Sequence, residues 1–210
     1  MSTPSSSRRP ANLEQQRKLA KDLIRAARDG DPAALARIRA VRPDAAPPRS
    51  LKLADALLAV AREGGFESWP TLVADFQERD VKAFCDAVHG GDIPGTQQLL
   101  ARTHVRKRVN DPMFAFGQRA AHIAAKNATL LRALLAAGAD VNMKSDWENG
   151  PYTVLDHTSE DTARFLLAHG ATLTPNVAVR MPVKLRNPLR VPMGTFFLNN
   201  TNVQLSNILF

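Results

Sequence analysis

Apolar residues in the first third of the chain recur at helical spacing. Leu19 and Leu23 stand four apart, as do Ala20 and Ile24, with Ala27 one turn further on. Together they predict one buried stripe on a helix that begins near Asn12. Asp29-Gly30 closes that segment, and Asp31-Pro32 opens a second helix carrying Leu35 and Ile38. The stretch VRPDAAPPRS (41–50) is predicted as a turn, because Pro47-Pro48 cannot continue a helix. In LKLADALLAVAREGG (51–65), Leu53, Leu57, Val60 and Ala61 are assigned to one face, with Gly64-Gly65 as the stop. Ser68 then reads as an N-cap and Pro70 as a first-turn residue, with Trp69, Leu72, Val73 and Phe76 turned inward. Residues 12–79 are thus expected to form a block of four helices.

Beyond Asp80 the pattern becomes periodic. DVKAFCDAVHGGDIPGTQQLLAR (80–102) reads as helix, Gly-Gly-Asp turn and helix. Leucine pairs fall at 99/100, 134/135 and 166/167, and LLAAGADVN (134–142) returns as LLAHGATLT (166–174). Gly138 and Gly170 stand where a left-handed residue would close a helix. Asp140 and Asn142 favour a turn, and Val141 between them can point back into a core. A period near 33 is that of a two-helix unit that buries its apolar face only by stacking on its neighbours.

These residues carry a family resemblance. Segment 119–142, RAAHIAAKNATLLRALLAAGADVN, resembles an ankyrin repeat through Ala121, His122, Ala124 and Ala125 and through Leu134, Leu135, Gly138, Ala139, Asp140, Val141 and Asn142. The following unit matches through Thr153, Leu155, Leu166, Leu167, Gly170 and Ala171, and residues 80–106 through Ala87, Gly90, Asp92, Leu99 and Leu100. Arg119-Ala120 replaces the usual Thr-Pro, and the shortened spacings Ala121 to Leu135 and Leu155 to Leu167 leave one helix of each unit expected to be short. LADALLAVAREGGFESWPTLVADF (53–76) is similar to a helical leader that precedes ankyrin repeats in some bacterial proteins. The resemblance implies an all-α solenoid. Residues 12–79 would form an N-terminal helical block and 80–175 imperfect ankyrin-like repeats. His122 would brace a turn through backbone hydrogen bonds, and Gly138, Asp140 and Gly170 would likewise be structural.

Composition adds limits. The chain of 210 residues is 44% hydrophobic but only 6% aromatic, which favours helices over sheets. Residues 1–11 read as a disordered N-terminus without the apolar run of a secretory signal, and ADALLAVA (54–61) is too short to span a bilayer. One cysteine, Cys85, fits a reducing, cytoplasmic compartment and reads as a small buried residue. The segment 176–210 is an irregular basic tail, broken by Pro182, Pro188 and Pro192 and ending in the uncharged, β-prone GTFFLNNTNVQLSNILF.

The net charge of +8 raises nucleic-acid association as a second function, through Arg102, Arg106, Lys107 and Arg108 and through the tail. No phosphate loop, nucleophile elbow or metal-ligand spacing is present, so no catalytic residue, metal or cofactor is expected. Asp156-His157 and Asp86 with His89 read as solvated or capping groups. The leading expectation is a non-enzymatic module that binds a protein partner. The inter-unit segments carry the candidates: Met113, Phe114, Phe116 and Arg119 in or just after NDPMFAFGQ (110–118), and Asp146, Trp147, Glu148 and Tyr152 in SDWENGPYT (145–153). The sequence leaves the partner and the oligomeric state open.

Overall fold

Short polar side chains start most of the helices. Asn12 Oδ1 accepts the Glu14 N–H at 2.9 Å, Asp31 Oδ1 the Ala33 N–H at 3.0 Å, and Asp92 Oδ1 the Gly95 N–H at 3.0 Å. Asn127 Oδ1 takes the Leu130 N–H at 3.1 Å, while Ser68 and Ser159 cap through their hydroxyls. The computed structural model describes residues 12–45, 47–174 and 177–178, and among these all regular structure is helical. The expectations for residues 1–11 and for the tail beyond Ala178 lie outside the described residues.

The chain runs α1 (Leu13–Arg28), α2 (Pro32–Val41), α3 (Leu53–Glu63), α4 (Trp69–Gly90), α5 (Ile93–Leu100), α6 (Thr103–Arg106), α7 (Ala120–Ile123), α8 (Ala128–Ala136) and α9 (Glu160–Ala168). Short 3-10 turns occupy Pro48–Ser50, Ala115–Gly117, Ala124–Lys126 and Val154–His157. Residues up to Leu173 belong to one compact unit, and Thr174 opens a second, in which the Val177 N–H donates to Thr174 O at 3.1 Å.

Helices α1, α2 and α3 pack together on Ala20, Leu23, Ile24, Ala27, Ala34, Ile38, Ala56, Ala59 and Val60. Five of these nine are alanines, and such small side chains let helix axes approach closely. Arg37 holds Glu63 with two bonds of 2.8 and 2.7 Å, tying α2 to α3, and Arg28 donates twice to Leu51 O. Trp69 lies against both this cluster and a second one of Ala61, Leu72 and Phe76. Two leucines depart from the expected stripes: Leu19 and Leu53 are exposed. Ala20 and Ala56 turn inward instead, because the helices meet on their small residues.

Helix α4 runs unbroken through position 79/80, where the helical block was expected to give way to the repeats. Nothing between Thr71 and His89 is Gly or Pro, so nothing stops it before Gly91, whose φ is +68°. Its N-terminal half carries Leu72 and Phe76 and its C-terminal half Phe84 and Val88, all buried. It contacts α3 on one side and α5, α6 and α7 on the other.

From α7 onward the geometry repeats. Each segment has a very short first helix and a nine-residue second one: α7 with α8, then the turn Val154–His157 with α9. Gly138 (φ +100°) and Gly170 (φ +91°) end the two second helices in the left-handed region. The Asn110 amide donates to Gly138 O at 3.0 Å and accepts the Asp140 N–H at 2.8 Å. Thirty-two residues on, Asn142 donates to Gly170 O at 2.9 Å and accepts the Thr172 N–H at 2.7 Å. The first helical turns also correspond. His122 Nδ1 accepts the Arg119 N–H at 3.1 Å, and Asp156 Oδ2 accepts the Thr153 N–H at 2.7 Å.

Candidate functional site

The two inter-unit segments, 110–118 and 145–153, meet edge to edge. The Asp146 N–H donates to Phe116 O at 3.1 Å, and within the second segment the Ser145 N–H donates to Tyr152 O at 2.8 Å. Arg119 fastens the junction from inside: its Nη1 donates to Gly117 O at 2.7 Å, to Lys144 O, and to Asp146 Oδ1 at 3.0 Å. The Arg119 side chain is only 14% exposed, so this cation is a structural clamp and not a group offered to a partner. Two carbonyls and a carboxylate at Nη1 offset part of its loss of water, while Nε is buried without a hydrogen-bond partner.

Above the clamp stand two large rings. Phe116 and Trp147 have centroids 5.8 Å apart at 37°, and they remain 66% and 44% exposed. Tyr152 meets Trp147 edge-on at 6.0 Å, and His122 and His157 edge-on at 5.6 and 4.5 Å. The Tyr152 hydroxyl accepts from Gln118 Nε2, which fixes the ring at the base of the group. Phe116 is the single non-glycine residue with positive φ among those described, at +58°. A bulky residue in that region costs about 1–2 kcal/mol, so the surrounding bonds hold the ring outward against a local preference. Gly117 follows at φ +64°, and a Cβ there would fall within 3.0 Å of Asp146 Cβ and Oδ2.

Other expected site residues are placed differently. Phe114 is buried, with its ring edge-on to the exposed His89 of α4 at a centroid distance of 5.0 Å. Met113 is half-buried and Glu148 exposed. Cys85 is half-buried, and burial, with the Asp86 carboxylate beside it, pushes its thiol up, away from the reactive thiolate. Asp86 pairs with Lys82 at 3.0 Å.

Half of the basic cluster is paired. Arg102 pairs with Asp80, and Arg108 with Glu78 and Asp111 at 2.9 Å each, while Arg106 and Lys107 stand exposed on or just after the short α6. Six of the excess positive charges, on Arg8, Arg9, Arg180, Lys184, Arg186 and Arg190, lie outside the described residues; 28 Lys/Arg less these six leaves 22 against 20 Asp/Glu. A nearly neutral body with two free cations in its densest cluster makes a poor phosphate track. Among the described residues no three His, Cys, Asp or Glu side chains gather as a metal site, and no helix is long and apolar enough to cross a membrane.

No family model, curated protein or solved structure matches this chain. The site therefore has to be judged on its own chemistry: an apolar, aromatic tip over a rigid polar base. Sequence reasoning placed Trp147 and Phe116 among the candidates but missed the clamps of Asn110 and Asn142. Their signal was the dipeptide Val-Asn recurring at 109–110 and 141–142.

Proposed function

We propose that the protein is a non-enzymatic protein–protein interaction module whose second half is a short array of ankyrin-like repeats. Segments 110–118 and 145–153 are its projecting turns, and Phe116 with Trp147 is the anchor offered to a protein partner. The recurrence of the asparagine clamp and of the first-turn cap supports the repeat reading. A cytoplasmic location accords with the lone cysteine.

The observation that carries the function is the exposed ring pair on a backbone held in an unfavourable conformation. Scattered exposed apolar residues need no explanation, but a strained backbone that keeps a phenylalanine beside a tryptophan in water does. Aromatic anchors supply large contact area with few rotatable bonds, and a clamped base limits the ordering cost of association.

The test is affinity capture from native lysate at low and moderate salt, comparing the intact chain with Trp147→Ala and Phe116→Ala, followed by titration of the purified partner. Removal of a central anchor is expected to weaken binding by at least about 2 kcal/mol, roughly thirtyfold, at both salts. Protein capture that ignores both substitutions would rule out the tip as the anchor. Capture of nucleic acid alone, vanishing with salt, would replace this reading with the electrostatic one.

A further inference from the structure

His122 is the only buried histidine among the described residues, and it sits inside the framework that carries the ring pair. Its Nδ1 accepts the Arg119 N–H at 3.1 Å, and its Nε2 lies 3.2 Å from Tyr152 O. Only the neutral tautomer with its proton on Nε2 satisfies both contacts. A second proton would have to enter at Nδ1, against the N–H that already points there. Arg119 would lose that bond, and Arg119 is the residue whose guanidinium holds Gly117 O, Lys144 O and Asp146.

We propose that His122 is a proton-operated latch for the aromatic tip. When the ring is neutral, Arg119 is seated and Phe116 and Trp147 are presented; when it is protonated, the clamp shifts and the pair relaxes. The inference rests on the tip being the recognition surface, and it adds the regulation of that surface.

Burial is the main cause that holds the imidazole below its ordinary value, and the Arg119 charge acts in the same direction. The carbonyl of Tyr152, with smaller backbone contributions at Arg119 and Met143, offsets part of this. The groups facing the ring are therefore Arg119 from its own turn and Tyr152 and Met143 from the 143–152 segment. His157 stands behind the Tyr152 ring and Asp146 behind Arg119. The neutral state is thus kept through neutrality, and the latch opens as pH falls below the ordinary histidine range.

The molecule supplies its own control. Asp156 occupies in the next unit the place of His122 and makes the same bond, Oδ2 accepting the Thr153 N–H. His122→Asp should therefore preserve the cap, and Tyr152 O would still accept the Ser145 N–H. The replacement side chain has no imidazole to protonate in the histidine range.

The experiment follows the indole N–H resonances of the intact protein by NMR from about pH 7.5 to about 5, with the Trp147 signal identified by its loss in Trp147→Phe. Far-UV circular dichroism is recorded in parallel. We expect the Trp147 resonance to move with one midpoint below about 6.5, shared with the His122 ring, while the helical signal stays constant. The transition should vanish over this range in His122→Asp and persist in His157→Gln. A resonance that does not move, one that moves unchanged in His122→Asp, or one lost in His157→Gln would each overturn the latch. So would helix loss at the same midpoint, which would make His122 a stability group only. None of these outcomes bears on Trp147-dependent capture at neutral pH, so the two readings fail separately.

Discussion

At the scale of single residues, the positions legible in the sequence are those whose backbone chemistry is local. Gly138, Asp140 and Gly170 follow from what a helix end requires, and His122 from a motif that caps a first turn. Phe114 and Phe116 are a different matter. They stand two apart in one apolar run, yet one is buried beside His89 and the other projects into water. The difference accompanies the positive φ of Phe116, which local pattern does not encode. Gly117 offers a sharp test against Gly138, even though its φ of +64° is the easier of the two for a residue with a Cβ than +100°. Both have positive φ, but a Cβ at 138 meets nothing within 4 Å, whereas one at 117 collides with Asp146. Gly138→Ala should cost about 1–2 kcal/mol from conformation alone. Gly117→Ala should cost more and also displace Asp146 from Arg119. Urea unfolding of the two variants, at unchanged slope, measures the difference. Equal losses would mean that the 116–146 junction is not tightly held.

At the scale of elements, the helices were legible because most starts carry a cap and the apolar stripes have the helical period. The exceptions are informative. Leu19 and Leu53 were assigned inward by spacing, whereas the contact between α1 and α3 is made by alanines. Hydrophobicity says which residues can be buried, and close packing decides which are. The asparagine links were missed although Val-Asn recurs at 109–110 and 141–142, since a dipeptide does not say which carbonyl and N–H its amide will meet some 30 residues on. Asn142 has two bonds to the following unit, to Gly170 O and from the Thr172 N–H. Asn142→Ala is expected to cost about 1–2 kcal/mol, at the modest net value of solvent-accessible hydrogen bonds. Amide exchange sharpens this: protection should fall across α9 and not across α1–α3. Uniform loss of protection would show that the clamp is not what joins the last unit to its neighbour.

At the scale of the molecule, the expected division at 79/80 is crossed by α4. The sequence pattern changes at 79/80 and suggested a boundary there, but a change of pattern says nothing about helix continuity. An uninterrupted stretch without Gly or Pro from Thr71 to His89 was the physical signal for one element. Its two halves bury different residues, Leu72 and Phe76 toward the N-terminal block and Phe84 and Val88 further along. Stability should therefore pass between the halves through the backbone of this helix. Trp69 opens α4 and packs on the N-terminal clusters, whereas Trp147 lies in the 145–153 segment, so their unfolding transitions should coincide in the intact protein. Lys82 is exposed, and its ion pair with Asp86 is two-thirds exposed or more on both partners, so replacement there perturbs mainly the backbone. Lys82→Pro removes a helical hydrogen bond and clashes with the carbonyl four residues earlier, at about 3 kcal/mol. With the helix broken, the Trp147 transition should move to lower denaturant and separate from that of Trp69. If the two shift together and remain superimposed, side-chain packing across the block carries the coupling and the continuity of α4 does not.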